Sequence, residues 1–178
     1  MLAIVHKDWV AMPADRQVTV LKKLKPEMLC SFVRRIDPLT TDVSVLRWIA
    51  ARQEIDLATA LTLFFNFNPR KLTAQRADKT SDDMRNYCSV MDVLCQRINC
   101  GFYIPMASRA MDDPAMLRAW LDQQAATQRN GHQLRWTLSA KILEPMLQGR
   151  KPGLRPTKAR PGLIQGLFTP LFVANRTQ

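Results

Sequence analysis

Apolar residues recur at intervals of three and four along the first 148 residues, and the strict alternation of a half-buried strand is nearly absent. At 3.6 residues per turn this spacing stacks side chains on one helical face, which can be buried only against another element. The expected fold class is all-α: a compact single-domain bundle of about six to seven helices.

The punctuation agrees with that period. Pro13 suits a first helical turn, and Val18, Leu21 and Leu24 share a face before Lys25-Pro26 interrupts it. A second helix is expected from Glu27 to Arg35, with Met28, Leu29, Phe32 and Val33 inward. The Asp37-Pro38 turn and the hydroxyls of Thr40 and Thr41 start a third, whose stripe is Val43, Leu46, Ile49 and Ala50 beside Trp48. Asp56 caps a central, mostly buried helix reading LATALTLFF, which Asn66, Asn68 and Pro69 end. The polar stretch to Lys79 reads as a connecting loop with room for one turn of helix. Thr80 and Asp83 resemble a capping box opening the longest helix, which Gly101 stops after Cys100. Phe102 to Pro105 is extended, because a residue before proline avoids the helical region. Asp113-Pro114 then joins an N-cap to a first-turn proline and launches Met116, Trp120 and Leu121 on a helix to Arg129. A last helix, from Ser139 to Leu147, carries Ile142, Leu143 and Met146 inward.

A chain of 178 residues buries roughly 70% of its unfolded surface, enough for one core. Proline, glycine and cations rise together after Gly149, so residues 1–149 read as the domain and 150–178 as a tail. The net charge is +11, and its distribution is uneven. Residues 1–149 hold all 15 acids, whereas the tail carries Arg150, Lys151, Arg155, Lys158, Arg160 and Arg176 against none. Such a balance favours acidic partners: nucleic acid, an anionic membrane surface or an acidic protein. The tail nevertheless ends in Leu163–Val173, LIQGLFTPLFV, too apolar for an inert linker. It packs on the body, docks on a partner through Leu167, Phe168, Leu171 and Phe172, or makes a weak membrane-surface contact helped by the cations upstream. The alternative is phosphate contact through Arg150, Lys151, Arg155, Lys158 and Arg160.

No catalytic constellation is apparent. The glycines form no phosphate loop, and His6 and His132 are poorly placed to activate a cysteine. Cys88 and Cys95 fall on one stripe with Met91, Leu94 and Ile98, and with Cys30 and Cys100 they read as reduced core thiols. Asp82-Asp83 and Asp112-Asp113 stand at helix starts, where negative charge offsets exposed N–H groups. Arg34-Arg35 and Lys22, Lys23 and Lys25 read as a phosphate-binding surface or as a solvated face. Trp48, Trp120 and Trp136 read as core residues. No cofactor or metal is expected. With no export signal and no run of 18 apolar residues, the expected location is cytoplasmic.

Three stretches carry a family resemblance: RWIAARQEIDLATALTLFFNFNP at 47–69, MDVLCQRINCGFYIP at 91–105, and LRWTLSAKILEPMLQG at 134–149 following the Trp120 helix. They resemble the bacterial family catalogued as domain of unknown function 4274, over residues 40–149. Asp56, Thr59, Ala60, Gly101, Phe102 and Tyr103 match positions of its pattern, while Ala58 stands where a glycine is common. The resemblance implies a small helical bacterial cytoplasmic protein without established catalysis, and for some members an immunity-type, toxin-neutralising role.

The expected function is therefore a non-enzymatic protein-binding module of immunity or regulatory type, with nucleic-acid association through the tail as the alternative. The domain boundary is directly testable. A fragment of residues 1–149 should give a helix-dominated circular dichroism spectrum and one cooperative melt, as the full chain does. A fragment that fails to fold beside a folding full chain would place the boundary elsewhere.

Overall fold

The computed structural model describes residues 9, 11–74, 82–106 and 108–147. Among these residues there are eight helices and no strand, so the chain is an all-helical bundle. In order they are α1 (Ala14–Lys22), α2 (Pro26–Val33), α3 (Val43–Ala50), α4 (Leu57–Asn66), α5 (Pro69–Ala74), α6 (Asp82–Asn99), α7 (Pro114–Arg129) and α8 (Ala140–Leu147). The helix added to the expected count is α5, where the sequence had room for a single turn. The expected capping box at Thr80 and the boundary at Gly149 lie outside the described residues.

Local chemistry sets the ends. Pro26 and Pro114 occupy first-turn positions of α2 and α7, where the missing N–H has no helical partner to lose. Asp42, Asp56 and Asp113 cap α3, α4 and α7 by accepting backbone N–H groups of Ser44, Thr59, and Ala115 with Met116. Thr41, expected to help start α3, instead closes the preceding turn, its hydroxyl donating to the Asp37 carbonyl at 2.8 Å. Gly101, at φ +73°, ends α6 in a Schellman motif: its own N–H reaches the Ile98 carbonyl and that of Phe102 reaches Arg97. Gly131, at φ +74°, ends α7 the same way.

The core forms around α4, in which Leu57 to Leu61, Leu63 and Phe64 are all buried. It packs against α2 and α6; α3 packs on α1 and α6, and α8 on α7. Phe64 meets Trp120 of α7 edge-on at 5.7 Å, and the Trp136 indole is buried with its N–H donated to Asp92 at 2.7 Å. The expected extended turn at 102–105 has a structural task. The Tyr103 hydroxyl donates to the Ala50 carbonyl at the end of α3 at 2.6 Å, and the Arg97 guanidinium donates to the same oxygen at 2.5 Å. Burial pushes the Tyr103 phenol up to about 12.

Three expected core residues sit elsewhere. Met28 is 45% exposed, because eight residues of α2 bury only the Leu29, Cys30 and Val33 face. Cys100 is exposed past the last turn of α6, whereas Cys30, Cys88 and Cys95 are buried free thiols. Trp48 is half-buried, with the Arg52 guanidinium 4.6 Å above its ring.

Because Phe64 is fully buried at the α4–α7 contact, Phe64→Ala should lower stability by about 3–5 kcal/mol. Urea unfolding followed by circular dichroism should show the midpoint falling with the slope unchanged.

Candidate functional site

Charged side chains converge where α2, the start of α4 and the 105–113 segment meet. Asp56 is the centre: its side chain is 0% exposed. One carboxylate oxygen accepts the Thr59 N–H at 2.8 Å; the other accepts the Thr59 hydroxyl at 3.2 Å and the Arg109 Nη1 at 2.9 Å. The Arg34 Nη2 stands 3.6 Å from the first oxygen. Arg34 also donates from Nε to the Thr59 hydroxyl, and from Nη1 to the Ala110 carbonyl and to Asp112 at 3.0 Å. Arg109 Nη1 lies 2.8 Å from the Cys30 sulfur, and its Nη2 is 3.6 Å from Glu27.

Burial by itself would raise the Asp56 carboxyl. The Arg109 hydrogen bond, the Thr59 N–H, the Arg34 charge and the Thr59 hydroxyl outweigh it and hold the group below its ordinary value. The same bond pushes the Arg109 guanidinium up.

Above this cluster lies a cleft of about 460 Å³, walled by Glu27, Cys30, Ser31, Arg34, Arg35, Arg109 and Asp112. Arg34 and Arg109 face Asp56, Asp112 and Glu27, so the charge of these two is answered within the fold. The Arg34-Arg35 pair is thereby divided: Arg34 is a structural cross-link, while Arg35 is exposed with no ion pair among the described residues. Asp112, expected as a cap, serves Arg34, and Asp113 alone caps α7. Asp82 pairs with Arg85 one turn along α6.

A second concavity is mixed in character. Phe65, Pro69, Ala115, Met116, Ala119 and Trp120, together with Asn66, Asn68, Arg70 and Asp113, line a groove of about 600 Å³ between the end of α4, α5 and α7. Met116 is 44% exposed, while Trp120 is 1% exposed and its indole N–H finds no acceptor among the described residues. Asn68 reaches φ +52° to turn the chain from α4 into α5, which brings Pro69 onto the groove wall.

Leu167, Phe168, Leu171 and Phe172, and the cations Arg150, Lys151, Arg155, Lys158 and Arg160, lie outside the described residues. His6 does too, and His132 is exposed just beyond α7. Among the described residues no three His, Cys, Asp or Glu side chains are grouped to hold a metal, and no helix is long and apolar enough to cross a membrane. No family model, no curated protein and no solved structure matches the chain.

Sequence reasoning identified Asp56 as a cap and missed it as an ion-pair centre. Arg109 is 53 positions away in the chain and sits in a segment with no periodicity. The available signal was compositional: an acid opening an otherwise apolar helix needs a cation once its end is buried.

The depressed Asp56 carboxyl stabilises the fold above its unfolded value near 3.9, and that contribution is lost as pH falls through the lower folded value. Asp56→Asn should therefore flatten the acid limb of stability against pH in urea titrations. Asp56→Ala, which leaves two arginines without their shared anion, should cost about 3–5 kcal/mol at pH 7.

Proposed function

We propose that this chain is a non-enzymatic protein-binding module of immunity or regulatory type, acting in the cytoplasm and capturing an acidic protein. Leu167, Phe168, Leu171 and Phe172 of its tail provide the apolar contact. The observation that carries this reading is the internal neutralisation of the arginine cleft: Arg34 and Arg109 are held by Asp56, Asp112 and Glu27. Their charge is used in joining α2 and the 105–113 segment to α4. The resemblance over residues 40–149 to the bacterial domain family supports the same reading.

Apolar burial supplies the affinity, at about 1.5–3 kcal/mol for each side chain before ordering costs. The tail cations raise the association rate toward an acidic surface. A second reading has its own support. Lys22, Lys23, Lys25 and Arg35 are exposed and, among the described residues, without ion pairs, so a phosphate backbone could use them together with the tail.

Capture from a lysate of the native host, with the full chain as bait, separates the two. Phe168→Ser with Phe172→Ser should abolish recovery of the partner, while Gln at positions 150, 151, 155, 158 and 160 should only slow its association. If instead the chain binds duplex DNA with a log–log salt slope near −4 to −5, and the Gln substitutions flatten that slope, the nucleic-acid reading replaces the first.

A further inference from the structure

The cleft above Asp56 holds its two inner arginines in two unequal ways. Behind them the fully buried Asp56 carboxylate accepts Arg109 Nη1 at 2.9 Å and stands 3.6 Å from Arg34 Nη2. The other two acids are Asp112 and Glu27, whose side chains are 63% and 72% exposed. Exposed pairs of this kind hold weakly, because water solvates the separated charges nearly as well. Asp112 reaches Arg34 Nη1 at 3.0 Å, but Glu27 stops 3.6 Å from Arg109 Nη2, beyond hydrogen-bonding range. Among the described residues, therefore, neither Arg34 Nη2 nor Arg109 Nη2 has a hydrogen-bonded acceptor. Helix geometry builds the adjoining wall. Glu27, Cys30, Ser31 and Arg34 recur at three and four residues along α2 and its C-cap, so they share one side, and the exposed Arg35 follows them on the cleft lining.

We propose that this cleft binds the terminal phosphate dianion of a small phosphate monoester between Arg34 and Arg109, with Arg35 and the Ser31 hydroxyl completing the site, and that Asp112 and Glu27 occupy the arginines in its absence. Three observations fit this ligand. The Arg34 and Arg109 side chains are each only 16% exposed and are held from behind by Asp56, so their planar forks are ordered before an oxyanion arrives. The charge count selects a dianion. Arg34, Arg35 and Arg109 stand against Asp56, Asp112 and Glu27, and once the two exposed acids turn to water the excess is two positive charges, matched by a monoester and not by a single carboxylate or a phosphodiester. The cleft, at about 460 Å³, has the size of a small-molecule site and leaves room for an organic group beside the phosphate.

The inference goes beyond the proposed function and leaves its structural basis in place, since Asp56 keeps its arginines when the ligand is bound and only the exposed acids move. Its test titrates the full chain with glycerol 2-phosphate at constant ionic strength, balanced with chloride, and follows the arginine Nε–Hε resonances in ¹⁵N spectra. Arg34 and Arg109 should shift together and saturate as one site, while Arg135, paired with Asp92 elsewhere, stays in place. Glu27→Gln with Asp112→Asn removes the competing acids and should tighten binding about threefold or more, a gain that a purely structural role for these acids would not produce. Arg35→Gln should weaken it by a similar factor, because Arg35 is exposed and, among the described residues, without an ion pair. If the double variant melts below the wild type, Glu27→Gln alone is read in its place. Inorganic phosphate separates two sources of the same chemistry: equal affinity assigns free phosphate, and weaker affinity assigns the ester. Dimethyl phosphate, a monoanionic diester, should bind about tenfold or more weakly. Shifts at Arg34 and Arg109 that fail to saturate, removal of the acids without any gain in affinity, or dimethyl phosphate binding as tightly as the monoester, which would give the cleft to a nucleic-acid backbone, would each overturn the proposal.

Discussion

The carboxylate of Asp56 is the group on which the packing of this protein turns. It is buried completely, yet it ends a helix, anchors two arginines and accepts a threonine hydroxyl at once. A buried anion costs several kcal/mol in lost hydration unless donors surround it. Here those donors come from α2, from the first turn of α4 and from the 105–113 segment. An apolar residue at this position could fill the space and satisfy none of the Arg34 or Arg109 donors. The ionic centre thus specifies which elements meet, and the surrounding leucines and aromatics supply the bulk of the burial energy.

The helices were legible because each has a local cause. A period of 3.6 residues, prolines at first turns, aspartates at caps and glycines past the last turn all act within a few positions. What the sequence concealed is what acts at a distance. Arg34 to Asp112 spans 78 positions, Arg97 to the Ala50 carbonyl 47, and Trp136 to Asp92 44, with no periodic signature at either end. Met28 and Cys100 erred for a related reason. An apolar or thiol residue was read inward by type, but a two-turn helix and a helix terminus each have one face or edge with no neighbour. Of the candidate sites, the cation pair at Arg34-Arg35 was visible and its division was not. The groove beside Trp120 was invisible because its lining comes from α4, α5 and α7 together.

Two clamps divide the mechanical work of the bundle. Asp56 and its arginines tie α2 and the 105–113 segment to the start of α4. At the other clamp, Tyr103 and Arg97 converge on the last carbonyl of α3, satisfying an acceptor that the end of a helix leaves open. The two are joined in space, since Leu57, next to Asp56, donates its backbone N–H to the carbonyl of Ile104, next to Tyr103. The described residues between Gly101 and Asp113 therefore have little regular structure but are held at Tyr103 and Arg109 by side-chain bonds, and they contribute to the ion-pair geometry of the cleft.

This arrangement also determines how the protein's charge can act. Within the described body, Arg34, Arg85, Arg109 and Arg135 each have a carboxylate within about 4 Å, so their fields are largely answered locally, whereas Lys22, Lys23, Lys25 and Arg35 remain exposed. The tail has cations and no acid, so its field extends to the screening distance of about 8 Å at physiological ionic strength. In the proposed reading, steering by charge and retention by apolar contact fall to adjacent stretches of one short segment, with rate governed by the first and lifetime by the second. The Asp56 centre is buried, so salt that screens the exposed cations acts only weakly on the Arg34 and Arg109 contacts that tie α2 and the 105–113 segment to α4.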